Sequence, residues 1–341
     1  MRAMLLTRLC RLADTPEPLA AMDWPQPSPG PGEVLLKISV CGICHTELDE
    51  IEGRTPPPHL PVIPGHQVVG RVAELGANAR AVREGDRVGV AWIFSACGRC
   101  RYCLAGNENL CAEFVATGRD ANGGYAEYMT VPAEFCHPIP AGISDLHAAP
   151  LLCAGAIGYR SLRLSGIANG QRLGLTGFGA SGHQVLSMAR HLYPDSEIYV
   201  FARSAEERRF ALELGAVWAG DTREPAPHRL DSIIDTTPVW TPVVEALANL
   251  AAGGRLVINA IRKEGNAGAW LQLDYAKHLW QEKEIKSVAN ITRRDVQEFL
   301  QLAADIPLRP TLQTYPLQDA NPALQALKKG DLRGAKVLQI A

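Results

Sequence analysis

Up to about residue 170 the chain reads as short apolar stretches broken by proline and glycine. From Gln171 it changes to apolar blocks alternating with amphipathic runs. RLGLT at Arg172–Thr176 predicts a short buried strand, followed by GFGASG and an amphipathic helix through HQVLSMARHL. A strand over Glu197–Phe201 comes next, then a helix over Glu206–Leu214 that Gly215 stops. Further strands are predicted at Ser232–Asp235, Arg255–Ile258 and Ile285–Val288, with a helix at Thr241–Leu250 between the first two. This rhythm implies α/β architecture: a parallel sheet with helices on both faces.

Length adds a second domain, since 341 residues exceed the roughly 150 typical of one. Hydrophobic residues make up 47%, enough for a core in each. Lys and Arg number 34 against 36 Asp and Glu, and this balance argues against a nucleic-acid binder, which needs a basic surface. No apolar run approaches the ~20 residues of a membrane span. Met1–Ala13 carries Arg2, Arg8 and Arg11 through short apolar pieces, unlike a signal peptide. The expectation is a soluble, cytoplasmic protein with neither nucleic-acid nor membrane partners.

Gly177, Gly179 and Gly182 form G-x-G-x-x-G between a predicted strand and helix. In that setting the glycines permit a tight turn and close approach of a pyrophosphate to the helix N-terminus. A dinucleotide site for NAD carries an Asp or Glu about 20 residues on, where it bonds the ribose hydroxyl. Here the second strand runs into Ala202, Arg203 and Ser204. A small residue followed by Arg203 and Ser204 suits a 2′-phosphate, so NADP(H) is favoured over NAD(H).

Nine cysteines in a reducing compartment call for a role other than disulfides. Cys97, Cys100, Cys103 and Cys111 lie together in ACGRCRYCLAGNENLC, spaced to surround one tetrahedral ion. Four thiolates fill the shell of a structural zinc; an iron–sulfur cluster shares the two-residue spacing. Cys44, His66 and Cys153 are dispersed, and no local spacing joins them. Two thiolates and an imidazole would suit a zinc with one position open.

Taken in order, PGEVLLKISVCGICHTEL, LPVIPGHQVVGRV, GDRVGV, the four-cysteine segment, LLCAGAIGY, the glycine turn and GAKVLQI resemble the zinc-containing medium-chain alcohol dehydrogenases. The resemblance covers nearly the whole chain. It implies a GroES-like β-rich catalytic domain over residues 1–153 and 289–341, with a structural zinc lobe at 95–113. A Rossmann domain, doubly wound on a parallel sheet, would occupy residues 154–288. It implies two zinc ions per chain, one held by Cys44, His66 and Cys153 and one by the four clustered cysteines. His45 matches a contact to the cofactor's pyrophosphate, and Thr46 the hydroxyl that passes the substrate proton. Glu47 stands at the family's Asp, a partner of a metal ligand, and Trp92 at an aromatic wall of the substrate pocket. Arg333 falls near a phosphate contact. Three departures are Gln67 for the family's Glu, Glu52 where a relay His is often found, and Ile157 for Thr. The relayed proton is expected to leave through Thr46 and the cofactor ribose towards Glu52 or His45.

The implied activity is reversible oxidation of a primary or secondary alcohol to an aldehyde or ketone by hydride transfer to NAD(P). Polyol, sugar or cinnamyl-type dehydrogenases of the same family are alternatives, as is a non-catalytic zinc- and nucleotide-binding redox sensor. A homodimer or homotetramer joined through the edge of the nucleotide-binding sheet is the implied assembly.

Overall fold

The computed structural model describes residues 1–306, 308, 310–330 and 335–340. The chain divides into two compact units, Met1–Cys153 with Thr292–Ala341, and Ala154–Ile291.

The first unit is built on the long strand Glu33–Ile43, which pairs antiparallel with Val68–Leu75, Tyr128–Pro132 and Ala335–Gln339. Arg87–Val90 and Cys136–Pro138 extend this seven-stranded sheet beyond Val68–Leu75, and Leu312–Pro316 extends it beyond Ala335–Gln339. Alternation along EVLLKISVCGI explains the central position: Val34, Leu36 and Ile38 are fully buried. Register shifts opposite Val68–Leu75 break the ladder twice, bending the strand before it reaches Cys44. The C-terminal segment completes this unit. Leu338 stands opposite Cys41, and Leu324 of helix Ala320–Lys328 is buried in the same core as Leu36 and Tyr125.

The second unit is a six-stranded sheet, parallel throughout. Its order is Trp218–Gly220, Glu197–Phe201, Arg172–Thr176, Leu230–Asp235, Leu250–Ile258 and Glu284–Ser287. The first strand in sequence lies third, and the chain winds outward from it in both directions, the doubly wound order. The switch point lies between Arg172–Thr176 and Leu230–Asp235. The strands read from sequence are present, with Leu250–Ile258 starting earlier than expected; Trp218–Gly220 was not anticipated, being three residues long. Among the described residues no helix is long and apolar enough to cross a membrane.

Candidate active site

Cys44 follows the central strand and stands at the head of helix His45–Ile51. His66 comes from the turn before Val68–Leu75. Gly65 there has φ of +100°, and a Cβ on it would lie 2.4 Å from the Tyr125 ring and 2.9 Å from Cys41 Sγ. Only glycine allows that approach. Cys153 rides on a wide π-helical turn over Leu151–Gly155, a local geometry frequent at functional sites.

These dispersed residues converge. The Cys44 and Cys153 sulfurs and a His66 ring nitrogen lie within 4.8 Å of one another. The two sulfurs are 3.8 Å apart, the separation of about 3.8 Å that tetrahedral Zn–S bonds of ~2.3 Å require. His66 is 1% exposed; its Nε2 has no hydrogen-bond partner among the described residues, while Nδ1 sits 2.6 Å from Glu47 Oε1. The other Glu47 oxygen accepts the Cys44 N–H at 2.7 Å. One buried carboxylate thus fixes two of the three donors, and the donor set fits a zinc ion with one position left over.

The electrostatics agree with shared work among these groups. The hydrogen bond from Cys153 pulls the Cys44 thiol well below its ordinary pKa, against the effect of burial, and the same bond with burial pushes Cys153 well above. Burial opposes a charge on His66, but the Glu47 carboxylate and the Cys44 thiol beside it together outweigh burial and lift the imidazole.

The second cysteine set also closes on itself, with all four sulfurs within 4.8 Å. Cys97 and Cys103 Sγ are 3.9 Å apart, and Cys97 Sγ accepts the Cys100 N–H at 3.4 Å. Backbone N–H groups of Arg99 and Cys100 hold Cys97 down at about 6, whereas desolvation first, then Cys100, lifts Cys103 to about 12.

Thr46 is buried, its Oγ1 3.6 Å from Cys44 Sγ, while His45 beside it is exposed. Trp92 stacks on Phe114 at 4.7 Å, and the Arg119 guanidinium lies over Trp92 at 5.6 Å, clamped by Asp120. Gln67 packs against Gly42, where a Cβ would meet its Oε1 at 2.7 Å. Ile157 lies half-buried on helix Ala156–Ser165.

Glu52 does not suit the role of proton acceptor. Its carboxylate takes the Leu12 N–H at 3.1 Å, Arg54 at 2.5 Å and Lys328 at 2.9 Å. Burial alone would raise its pKa, but Lys328 and Arg54 outweigh burial and hold it below the usual range. A carboxylate so committed is a poor base, and Lys328 lies 276 residues further along the chain, where no local pattern links the two.

Sequence reasoning also missed Glu50. It shares the helix with Glu47 and is 1% exposed, and neither carboxylate oxygen has a hydrogen-bond partner among the described residues. Burial, then the Glu47 charge, pushes its pKa well up. An acidic run such as ELDE ordinarily marks a solvated face. Here Glu47, Asp49 and Glu50 are all buried. Glu108 was missed too: it is 2% exposed and takes the Arg293 N–H at 2.8 Å and Nε at 3.2 Å, tying the cysteine lobe to the C-terminal segment.

In the second unit each glycine of the turn has a distinct reason. Gly177 has φ of +80°, and a Cβ there would strike Thr236 Oγ1 at 2.7 Å. Gly182 would meet the Gly177 carbonyl at 2.7 Å. Gly179, at the head of helix Ala180–Leu192, faces open space, which leaves room for a ligand to approach the backbone. Arg203 and Ser204 are exposed beyond strand Glu197–Phe201, and Ser204 caps the next helix through the Glu206 and Glu207 N–H groups. Arg333 lies outside the described residues.

Residues 30–141 match the alcohol dehydrogenase GroES-like domain family. The chain is 44% identical over 328 residues to "Probable alcohol dehydrogenase AdhA" of Mycobacterium tuberculosis, covering 95% of this chain and 93% of the relative. It is 34% identical to an alcohol dehydrogenase of Geobacillus stearothermophilus, covering 91% and 92%. A cobalt- and zinc-bound thermostable alcohol dehydrogenase from Pyrobaculum aerophilum superposes with a TM-score of 0.87 at 25% identity, covering 99% of each chain.

Proposed function

This chain belongs to the zinc-containing medium-chain alcohol dehydrogenase family and interconverts alcohols with aldehydes or ketones, and from there we propose that it does so with two zinc ions and a preference for NADP(H). The observation that carries the zinc reading is the closure of Cys44, His66 and Cys153, from three distant segments, around a buried His66 Nε2 with no hydrogen-bond partner among the described residues. The cobalt and zinc in the Pyrobaculum relative support it. A zinc ion there would supply a Lewis-acid position for the substrate oxygen, and the nicotinamide the hydride acceptor.

The chain's own residues do the rest. Glu47 holds the His66 ring with Nε2 free to ligate. Thr46, buried beside Cys44, relays the substrate's hydroxyl proton, accepting it while its own hydroxyl proton passes on, and His45, exposed on the preceding residue, offers an outlet. Trp92 and Phe114 give an apolar wall that excludes water. The four clustered cysteines supply every ligand of their site, so that zinc is structural. Steady-state assays with a panel of alcohols and both nucleotides, together with metal analysis, test this reading. Turnover with about two zinc per chain is expected; nucleotide binding without turnover would favour the redox sensor instead.

The NADP(H) preference is supported by Arg203, exposed and with no side-chain partner among the described residues, where an NAD enzyme carries a carboxylate. Glu206 and Glu207 follow in the first turn of the next helix, so a 2′-phosphate depends on Arg203 to offset them. Arg203→Ala is expected to lower kcat/KM for NADPH by about tenfold or more while NADH changes less than about twofold. Equal losses with both nucleotides would count against the assignment.

A homo-oligomer is supported by the sheet edge. Strand Glu284–Ser287 is exposed at every position, and nearby in sequence Leu271 is 91% and Trp280 57% exposed. An edge strand unpaired among the described residues, with exposed apolar side chains close by in sequence, calls for a partner. Ile285→Pro is expected to shift the species in solution to single chains, read by light scattering; a wild-type mass equal to one chain would sink the proposal.

A further inference from the structure

At the carboxyl ends of three adjacent strands, Arg172–Thr176, Leu230–Asp235 and Leu250–Ile258, sits a polar cluster that the reading above does not use. Asp235 is fully buried and accepts Thr176 Oγ1 at 2.6 Å, Thr237 Oγ1 at 2.8 Å and the Lys263 ammonium. The Lys263 side chain is 6% exposed and also donates to the Thr237 carbonyl at 2.6 Å. A buried ion pair survives when its remaining donors and acceptors are satisfied, as these are. Its effect is to pin the segment after the fifth strand next to Thr176, the residue that leads into the glycine turn.

Asn259 opens that segment. Its N–H donates to the Asp235 carbonyl at 2.9 Å, and the residue is 6% exposed. Yet its Nδ2 is buried with no hydrogen-bond partner among the described residues. Buried amide donors in folded proteins are nearly always paired, so an unpaired one needs an acceptor from elsewhere. In a doubly wound sheet ligands bind outside the carboxyl ends of the strands around the switch point, and Asn259 stands at such an end, one strand from the switch point and bonded to the Asp235 backbone beside it.

We propose that Asn259 donates its side-chain amide to an oxygen of the bound nicotinamide dinucleotide, and that Lys263 on Asp235 is the strut that holds it there. The inference rests on the nucleotide-binding reading of this unit. Asn259 is a binding residue; Lys263 and Asp235 are positioning residues that act through it.

Fluorescence titration of the full chain with NADPH and with NADH tests both parts. Asn259→Ala is expected to weaken binding about tenfold, as loss of one buried hydrogen bond does. It should raise the nucleotide KM with little change in kcat and leave the melting temperature without nucleotide unchanged. Lys263→Met combined with Asp235→Asn, which removes both charges yet keeps an acceptor for Thr176, should weaken binding similarly. Adding Asn259→Ala to that pair should then cost less than about twofold more, because the two act as one unit. Lys263→Arg should retain most of the affinity. Should the charge-free pair melt early, Asn259→Ala alone decides. Wild-type affinity in Asn259→Ala would overturn the inference and leave the nucleotide reading standing. A wild-type chain that binds neither nucleotide would overturn both.

Discussion

Cys44→Ala is expected to lower kcat/KM for alcohol oxidation by about a thousandfold or more, since the Lewis acid contributes several kcal/mol at the transition state. Zinc content should fall from about two to about one per chain. The fold should survive, for reasons local to the helix that follows. The Glu47 carboxylate bonds the Cys44 backbone N–H, which alanine keeps, so the helix start loses only the thiol's half of its capping box. Cys44 as a residue is only partly buried, and alanine keeps its Cβ, so the space left is that of one sulfur atom. What is lost is one of three donors that converge within 4.8 Å, and two donors hold zinc poorly. The variant should therefore melt close to wild type while losing one metal and its turnover. Activity within tenfold of wild type, or an unchanged zinc count, would remove Cys44 from the ligand set.

The ease with which the sheet of the second unit was read, and the difficulty of the first site, have one physical cause. Strands such as Arg172–Thr176 and Leu230–Asp235 are buried on both faces, so they appear as apolar runs between turn signals. Their signal is local. Cys44, His66 and Cys153 meet only because a bent strand, a glycine turn and a π-helical turn bring them together, and no spacing along the chain encodes that. Resemblance to a family supplied what periodicity could not. Beyond the firm motifs the resemblance carries less: Glu52 stands where a relay His is often found, and its ion pairs to Lys328 and Arg54 make it a weak base. Glu50 shows the opposite failure, since an acidic run reads as solvated until a structure reveals that it is inside.

Removing the metal of the four-cysteine lobe is expected to unfold that lobe while sparing the sheet beneath it. Little else holds the segment together: Leu104 is 76% and Leu110 45% exposed, so it has almost no apolar core of its own. In such a lobe the free energy of binding metal is the free energy of folding. Cys103→Ala should lower the melting temperature by about 5 °C or more. It should also open Arg99 and Arg101, both exposed, to rapid cleavage by trypsin. The buried contact from Glu108 to Arg293 anchors only the far end, so Glu108→Ala should loosen the lobe without this full loss. Proton competition gives a second handle with a definite sign. Zinc binds thiolates, and Cys97, near 6, is largely ionised at neutral pH, whereas Cys103, near 12, must give up its proton to the metal. Acid restores those protons, so a chelator should strip this zinc faster at pH 6 than at pH 8. A stripping rate that rises with pH would count against thiolate ligation, and a Cys103→Ala protein as resistant to trypsin as wild type would show that the lobe stands without its metal.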